Sequence, residues 1–357
     1  MLVTIAAFIA VLGIIVFVHE LGHFIAAKMV GIRVETFSLG FPPKMISKKV
    51  GDTEYCISWV PLGGYVKMAG MIDESMDNEP LTGASWEFMS KNFFQKVFVI
   101  TAGVLMNFLL GFLVYFILSW QVGVPEASNE PIVGYAPEGY PAALAGMEIG
   151  DRVLLVDSDS IATWQALVDA IHPRAGDTLL VVWQRGEEAF SANLVPQSEE
   201  YVNGDSTISF GRIGINPKVN FTERGIGAAF QHGYYLTGFI ITESLKIIRR
   251  LILGEESIKG IAGPIGIAQI SGQSIRNGLV EYLSLIAQVS ISIGLLNIMP
   301  FPVLDGGHLI FISIEAVIRR QIPAKVKLNV QKVGLALLLI FFLLVSYHDV
   351  MRIVVGP

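Results

Sequence analysis

The sequence predicts an α-helical polytopic membrane protein with about four transmembrane helices, a small membrane-associated β-hairpin or sheet, and one inserted α+β domain. Its composition, its four apolar stretches and its polar middle predict this class. Of the 357 residues, 52% are apolar and 16% are charged, and the mean hydropathy is +0.58. Soluble proteins carry roughly a quarter charged residues. The composition therefore favours a chain in contact with the lipid bilayer.

Four apolar stretches are long enough to cross a bilayer, which takes about 20 helical residues. They lie at residues 2–27, 97–120, 279–298 and 333–347. The third is the most polar, since it carries Glu281, Gln288 and several serines. Polar residues inside a membrane usually face protein, so this span is expected to face the interior of the helix bundle.

The distribution of charge predicts how the spans are oriented. Basic residues are concentrated between the first two spans and between the last two, whereas residues 121–278 hold 11 basic and 18 acidic side chains. Loops rich in lysine and arginine stay in the cytoplasm. Both basic loops are therefore predicted to be cytoplasmic and the acidic middle to lie outside. A net charge of −6 gives no reason to expect a nucleic-acid partner.

Changes in composition and hydropathy pattern divide the chain into four parts. Residues 1–120 hold two spans and, between them, alternating segments broken by Pro-Pro and Gly-Gly that predict a β-hairpin, followed by an exposed loop at 72–92. Residues 121–200 predict a compact α+β domain, because they combine one amphipathic helix face with two strand-like runs. Residues 201–278 are predicted to be a linker and an amphipathic interfacial helix. Residues 279–357 hold the last two spans.

The first span ends in His19-Glu20-Leu21-Gly22-His23, an H-E-x-x-H pattern. On a helix the two histidines share one face and can bind a single zinc ion, while the glutamate is placed to deprotonate water. The pattern also fits two surface histidines beside a glutamate. Ionisable residues in an apolar span are expensive to bury, and that favours the metal site, with Glu20 as the catalytic base.

A catalytic zinc needs a third protein ligand. Cys56 is the only cysteine, so a site with several thiolates is excluded. The best candidate segment is 297–308, which follows the third span and reaches the same side of the membrane as the end of the first. Pro300 and Pro302 break the helix there and can aim Asp305 at the bundle interior. The same residues also fit an ordinary turn that ends a helix.

Together, H-E-x-x-H and the segment Asn-x-x-Pro-x-Pro-x-Leu-Asp-Gly-Gly-His resemble the site-2 protease family of intramembrane metalloproteases, in its bacterial branch. The segments FSLGFPPK, PLGGYVKMAG and GPIGIAQI extend the resemblance over nearly the whole chain. It implies a Zn²⁺ cofactor with Asp305 as the third ligand, and Asn297 as a residue that binds the substrate backbone. The implied reaction is hydrolysis of a peptide bond in or near a transmembrane segment, as in regulated cleavage of anti-sigma factors or of remnant signal peptides.

The resemblance also suggests roles for the remaining parts and for partners. The strand-like segment with Gly63 and Gly64 would pair with an unwound substrate, or it could be purely structural. Residues 123–198 resemble a PDZ domain, which could contact a substrate ectodomain or an upstream protease product, or act as a size filter. The implied location is the bacterial inner membrane, with the active site towards the cytoplasm and the PDZ-like domain on the outer side.

Other classes of function remain open at this point. A membrane-anchored zinc protease acting on soluble or misfolded proteins would usually take its third ligand from a helical glutamate. A non-catalytic PDZ scaffold would have no physical reason to keep buried charge at His19, Glu20, His23 and Asp305. A metal transporter is less well matched, because two histidines and one aspartate leave a coordination position open for catalysis.

Overall fold

A computed structural model describes residues 1–71, 82–203, 206–222, 225–257 and 261–355. The chain forms two compact units: Met1–Leu118 joins Ala229–Pro357, and Ser119–Ala228 is inserted between them. The first unit is mainly helical, and the inserted unit mixes strands with short helices.

The helical unit contains the apolar helices that the sequence predicts. Four helices in the described part of the chain are long and apolar enough to cross a membrane. They are α1 (Leu2–Met29), α2 (Phe93–Gln121), α7 (Leu279–Ile298) and α9 (Ala324–Val355). Three shorter or more polar helices accompany them: α5 (Gly225–Leu253), α6 (Pro264–Asn277) and α8 (Asp305–Ile318). The predicted fold class of a polytopic helical membrane protein is confirmed.

Helix α1 shows why this unit suits a bilayer. Its buried positions Ala7, Val11 and Ile15 recur at helical spacing and form one face towards α6 and α7. The other face is equally apolar and exposed, with Ile5 and other large aliphatic side chains. Exposing an apolar helix face to water is energetically unfavourable, so the exposed face of α1 is suited to contact with lipid.

The predicted β-hairpin is present as β1 (Val34–Val50) and β2 (Thr53–Met68), which pair antiparallel. The first part of β1 pairs on both sides, since Phe37 lies opposite both Tyr55 and Val66. The hairpin therefore folds back into a small sheet, with the second half of β1 at one edge and the second half of β2 as the outer strand at the other. Within the described residues, no further strand pairs with that outer edge.

Helix α6 explains the GPIGIAQI segment. The carboxylate of Asp349 in α9 accepts hydrogen bonds from the N–H groups of Gly263 (3.1 Å) and Gly266 (2.8 Å). These groups open α6 and have no partner within the helix. Asp349 thus acts as an N-cap supplied by another helix and fixes α6, which packs on α1 through Gly272 and Thr4.

The inserted unit is an α+β domain, as predicted. Its main sheet has the order β6–β5–β7–β8, and three two-stranded pairs and two short helices complete it. The elements are β3 (Val124–Ala127), β4 (Val133–Tyr135), α3 (Pro141–Leu144), β5 (Arg152–Val156), β6 (Asp159–Ser160), α4 (Trp164–Ile171), β7 (Leu179–Arg185), β8 (Glu188–Leu194), β9 (Gln197–Asn203), β10 (Ser206–Arg212), β11 (Asn216–Pro217) and β12 (Val219–Thr222). Its core is aliphatic around Trp183.

An ion pair with a fully buried carboxylate ties the segment before β5 to the sheet. Arg185 donates to both carboxylate oxygens of Asp151, at 2.8 and 2.9 Å, and the Glu148 N–H donates a third hydrogen bond. Burial raises the pKa of the Asp151 carboxyl, but these hydrogen bonds outweigh burial and hold that pKa below its usual range.

The structure departs from the predicted boundaries in two places. The inserted unit extends beyond residue 200, because β11 and β12 return to pair with β4 and β3. In the predicted exposed loop, residues 72–81 lie outside the described residues, whereas Glu87 and Phe88 are buried. The Phe88 side chain packs into the core beside β1 and β2, and that contact has no signature in local sequence.

Candidate metal centre

Helix α1 brings His19 and His23 to one buried face against α2. The helices approach closely at two glycines: a Cβ on Gly22 would lie 2.5 Å from the carbonyl oxygen of Ala102, and Gly103 faces both imidazoles. Small residues at such a crossing allow backbones to approach within a membrane. The close approach seals the two histidines between helices, where each is less than a tenth exposed.

A broken helix positions Asp305. Helix α7 ends at Ile298, and α8 begins at Asp305 after the Pro300–Pro302 segment, as the two prolines predict. Gly306 and Gly307 pack directly on the backbone of this turn: a Cβ on Gly306 would lie 2.0 Å from the Met299 carbonyl oxygen. The two glycines after Asp305 therefore let the turn fold tightly over the start of α8.

These elements bring the two imidazoles and the carboxylate together. Nε2 of His19 lies 3.2 Å from Nε2 of His23 and 3.2 Å from Oδ2 of Asp305, while Oδ1 of Asp305 lies 3.4 Å from Nε2 of His23. The ligand atoms lie within 4.8 Å of one another, the one such group of histidine and acidic ligands found in the described residues.

The geometry fits zinc. Two ligand atoms that each lie about 2.0–2.1 Å from a tetrahedral zinc ion are about 3.3 Å apart, which matches the observed separations. Oδ2 of Asp305 is buried and has no hydrogen-bond partner in the described structure, so its charge calls for a cation. Two nitrogens, one carboxylate and an open position are the donor set of a catalytic zinc site.

The second nitrogen of each histidine is also engaged. Nδ1 of His23 lies 2.9 Å from the backbone oxygen of Val99, which can only accept a hydrogen bond. Nδ1 of His23 therefore carries the proton and Nε2 presents a lone pair to the site. Nδ1 of His19 lies 3.2 Å from the side-chain nitrogen of Asn107. The structure thus identifies Asn107, a polar residue within the apolar helix α2, as a neighbour of His19.

Gly103 is the residue that sequence reasoning missed. A Cβ there would lie 2.4 Å from Nε2 of His23 and 2.9 Å from Nε2 of His19, directly against the two ligand nitrogens. A glycine in an apolar helix is common, so the pattern carries no signal by itself. Only the crossing of α1 and α2 shows that this position must lack a side chain.

The remaining predicted site residues lie around the cluster. The side-chain nitrogen of Asn297, near the end of α7, lies 3.4 Å from Nε2 of His19. Gly64 of β2 lies against α1, where a Cβ would be 3.1 Å from Cγ of Glu20. Gly63 packs on the ring of Phe41. The outer strand of the β1–β2 sheet thus runs beside Glu20.

The other histidines lie outside the cluster. His308 follows Asp305 by one turn of α8, but its Nε2 faces the side chain of Gln331 at 3.4 Å. His172 packs against Phe210, and His348 packs against Tyr347. Of the candidates in the Asn297–His308 segment, the structure places Asp305 with the two histidines of the H-E-x-x-H pattern.

Comparisons with known proteins agree with this architecture. The family model described as "Peptidase family M50" matches residues 7–341. The zinc metalloprotease RasP of Bacillus licheniformis is 28% identical over 424 residues, which cover 98% of this chain and 99% of the relative. The regulator of sigma-W protease RasP of Bacillus subtilis is 27% identical, with the same coverage.

A solved structure also matches the chain in part. The PDZ domain of the SdrC-like protein from Listeria monocytogenes is 22% identical, covers 26% of this chain and 90% of its own, and has a TM-score of 0.20.

The apolar helices and the buried His–His–Asp cluster define an integral membrane metallopeptidase. The chain belongs to peptidase family M50, the site-2 protease family, so the resemblance seen in the sequence is confirmed. It is a zinc metalloendopeptidase and uses Zn²⁺ as its cofactor.

Proposed function

We propose that this protein hydrolyses peptide bonds in or near the transmembrane segments of membrane proteins, with zinc held by His19, His23 and Asp305. The observation that carries the proposal is the meeting of three ligand atoms within 4.8 Å inside the helical unit. His23 and His19 lie about 9 and 15 Å along α1 from its last residue, at a rise of 1.5 Å per residue. A site at that depth favours a substrate that is itself in the membrane.

Each residue has a distinct chemical task under this proposal. When bound, zinc supplies a Lewis acid that polarises the scissile carbonyl and lowers the pKa of water. Glu20, between the two ligands on α1, accepts a proton from the attacking water and delivers it to the leaving amine. Asn297 has an amide that can donate to the substrate backbone beside His19. Val99 keeps His23 in the tautomer that leaves Nε2 free.

The β1–β2 sheet offers a way to present the scissile bond. A transmembrane helix must unwind before its amides become accessible, and an extended peptide can then pair with a free strand edge. The outer half of β2 has no strand partner among the described residues on its far side, and its Gly64 lies against Glu20. We infer that Gly63 and Gly64 belong to a strand that holds unwound substrate next to the catalytic base.

The charge distribution supports a location in the bacterial inner membrane with the active site towards the cytoplasm and the inserted domain outside. By analogy with the relative named "Regulator of sigma-W protease RasP", an anti-sigma factor is a suitable substrate class. The inserted domain, which we infer to be PDZ-like from its Pro-Ala-x-x-Ala-Gly pattern, would contact substrate ectodomains or products of an upstream protease.

Cleavage of a membrane-anchored model substrate by the detergent-solubilised protein tests the proposal. Glu20→Gln keeps the shape of the side chain but cannot accept a proton, so at least a hundredfold loss of rate is expected, at the lower end of general-base contributions of about 10²–10⁴. Zinc content should stay unchanged in this variant. Asp305→Ala should lose zinc while the helices remain folded.

Three outcomes would contradict the proposal. Equal cleavage by wild type and Glu20→Gln would remove Glu20 as the base. Cleavage of a soluble unfolded protein, with none of a membrane-anchored substrate, would instead favour a membrane-anchored protease of soluble proteins. A purified wild type that holds zinc but cleaves neither would favour the scaffold alternative.

A further inference from the structure

Asn107 is a buried amide in α2 next to the metal centre. Its side chain is fully buried, and Nδ2 lies 3.2 Å from Nδ1 of His19. Its Oδ1 is also buried and has no hydrogen-bond partner among the described residues. Buried polar atoms are nearly always paired, so an unpaired oxygen beside a metal ligand requires an explanation.

The tautomer that His19 needs for metal binding explains the unpaired oxygen of Asn107. Nε2 of His19 faces His23 and Asp305, so this nitrogen must present its lone pair to the metal. A neutral imidazole that binds through Nε2 carries its proton on Nδ1, and Nδ1 then needs an acceptor. An amide can exchange its nitrogen and oxygen by a half-turn with almost no change in shape. That half-turn places Oδ1 against the Nδ1–H of His19.

We propose that Asn107 is a positioning residue that accepts a hydrogen bond from His19 through Oδ1 and thereby fixes the tautomer and ring orientation that bind zinc. The inference rests on the ligand set proposed above. His23 is already held in the corresponding way, by the carbonyl oxygen of Val99. Both histidines are then oriented by acceptors on α2, one turn above and one turn below Gly103.

The surroundings hold Asn107 in place for this task. The hydroxyl of Ser290 in α7 donates to the backbone oxygen of Asn107 at 2.9 Å. Gly294, one turn further along α7, leaves room for the side chain: a Cβ there would lie 3.2 Å from Cβ of Asn107. Helix α7 therefore restrains both the backbone and the side chain, and the amide has little freedom to leave His19.

Zinc affinity of the full-length protein in detergent, measured by chelator competition, tests the proposal. Asn107→Leu keeps the size but removes the acceptor, and a 10- to 100-fold loss of zinc affinity is expected, the usual effect of losing such a partner. Asn107→Asp keeps an acceptor oxygen and should bind zinc about as well as wild type. Ser290→Ala removes one restraint on the backbone of Asn107 but keeps the acceptor, so it should lower zinc affinity less than Asn107→Leu does.

The visible spectrum of the Co²⁺-substituted protein adds a readout of ligand geometry that does not depend on activity. It should change in Asn107→Leu and stay close to wild type in Asn107→Asp. Wild-type zinc affinity in Asn107→Leu would overturn the proposal. A loss of zinc affinity in a folded Asn107→Asp protein would overturn it as well. If Asn107→Leu does not fold, the zinc affinity of Asn107→Asp is the deciding measurement. Retention of zinc by His19→Ala would instead refute the ligand set.

Discussion

The metal centre depends on residues that bind nothing themselves. The backbone oxygen of Val99 orients the ring of His23, while Gly103 leaves room for the two ligand nitrogens. Gly306 allows the turn before Asp305 to pack on α8. Gly103 faces the two ligand nitrogens directly, so a small substitution there should affect zinc binding more than it affects the fold.

Gly103→Ala is the sharpest test at this scale. The added methyl would lie 2.4 Å from Nε2 of His23, closer than van der Waals contact permits. We expect zinc affinity to fall by at least about the 10- to 100-fold that is usual for disturbed metal sites, and activity to fall with it. Zinc stoichiometry measured by elemental analysis, together with thermal unfolding, checks this.

Gly13→Ala is the matched control, because nothing lies within 4 Å of a Cβ at that position of α1. It should keep full zinc and full activity. Full zinc occupancy in Gly103→Ala would mean that α2 can move away from α1, and that the close crossing is not required for the site.

At the scale of elements, hydrogen bonds join helices that are far apart in sequence. Asp349 of α9 caps α6, and the hydroxyl of Tyr282 in α7 donates to the backbone oxygen of Ala7 in α1. Helices in lipid gain no hydrophobic driving force from packing together, so interhelical hydrogen bonds of this kind carry much of the specificity. The GPIGIAQI segment is thereby explained as a capped helix start.

Asp349→Ala should destabilise α6. It leaves the N–H groups of Gly263 and Gly266 without their acceptor, and the loss of an N-cap costs about 0.5–2 kcal/mol. Asp349→Asn retains an acceptor oxygen and should cost less. Hydrogen exchange at the start of α6 measures the effect. Equal protection in Asp349→Ala and wild type would show that the cap contributes nothing to stability.

At the scale of the whole molecule, the inserted domain begins and ends on paired strands. Val124 of β3 lies opposite Thr222 of β12 in an antiparallel pair. Paired Cα atoms are about 4.5–5.5 Å apart, so the points of entry and exit lie side by side. An insertion of this kind can be removed without stretching the chain that remains.

Replacing residues 124–222 with a short glycine–serine linker should leave the helical unit folded and zinc bound. Cleavage of a model substrate with a short ectodomain should persist, while the preference among substrates with different ectodomains should change. Cleavage assays and zinc analysis of the deletion protein measure both effects. Complete inactivity in a folded, zinc-loaded deletion protein would assign the domain a catalytic or assembly role.

Many of the helices and part of the metal site can be predicted from the sequence, because they depend on patterns within short segments. The apolar stretches predict the spans, and α7 occupies the predicted residues 279–298. The H-E-x-x-H spacing predicts two imidazoles on one helix face, since residues four apart are neighbours on a helix. Pro300 and Pro302 predict the break that precedes Asp305, because proline cannot continue a helix.

The tertiary structure alone determined which residues from different helices and strands come into contact. That Asp305, rather than His308, joins the two histidines depends on how α8 is placed against α1. The required glycine at 103, the contact of Asn107 with His19 and the extension of the inserted domain to β12 all join residues that are distant in sequence. Periodicity and spacing describe one element at a time, whereas these contacts follow from helix crossings and strand pairings that no single segment encodes.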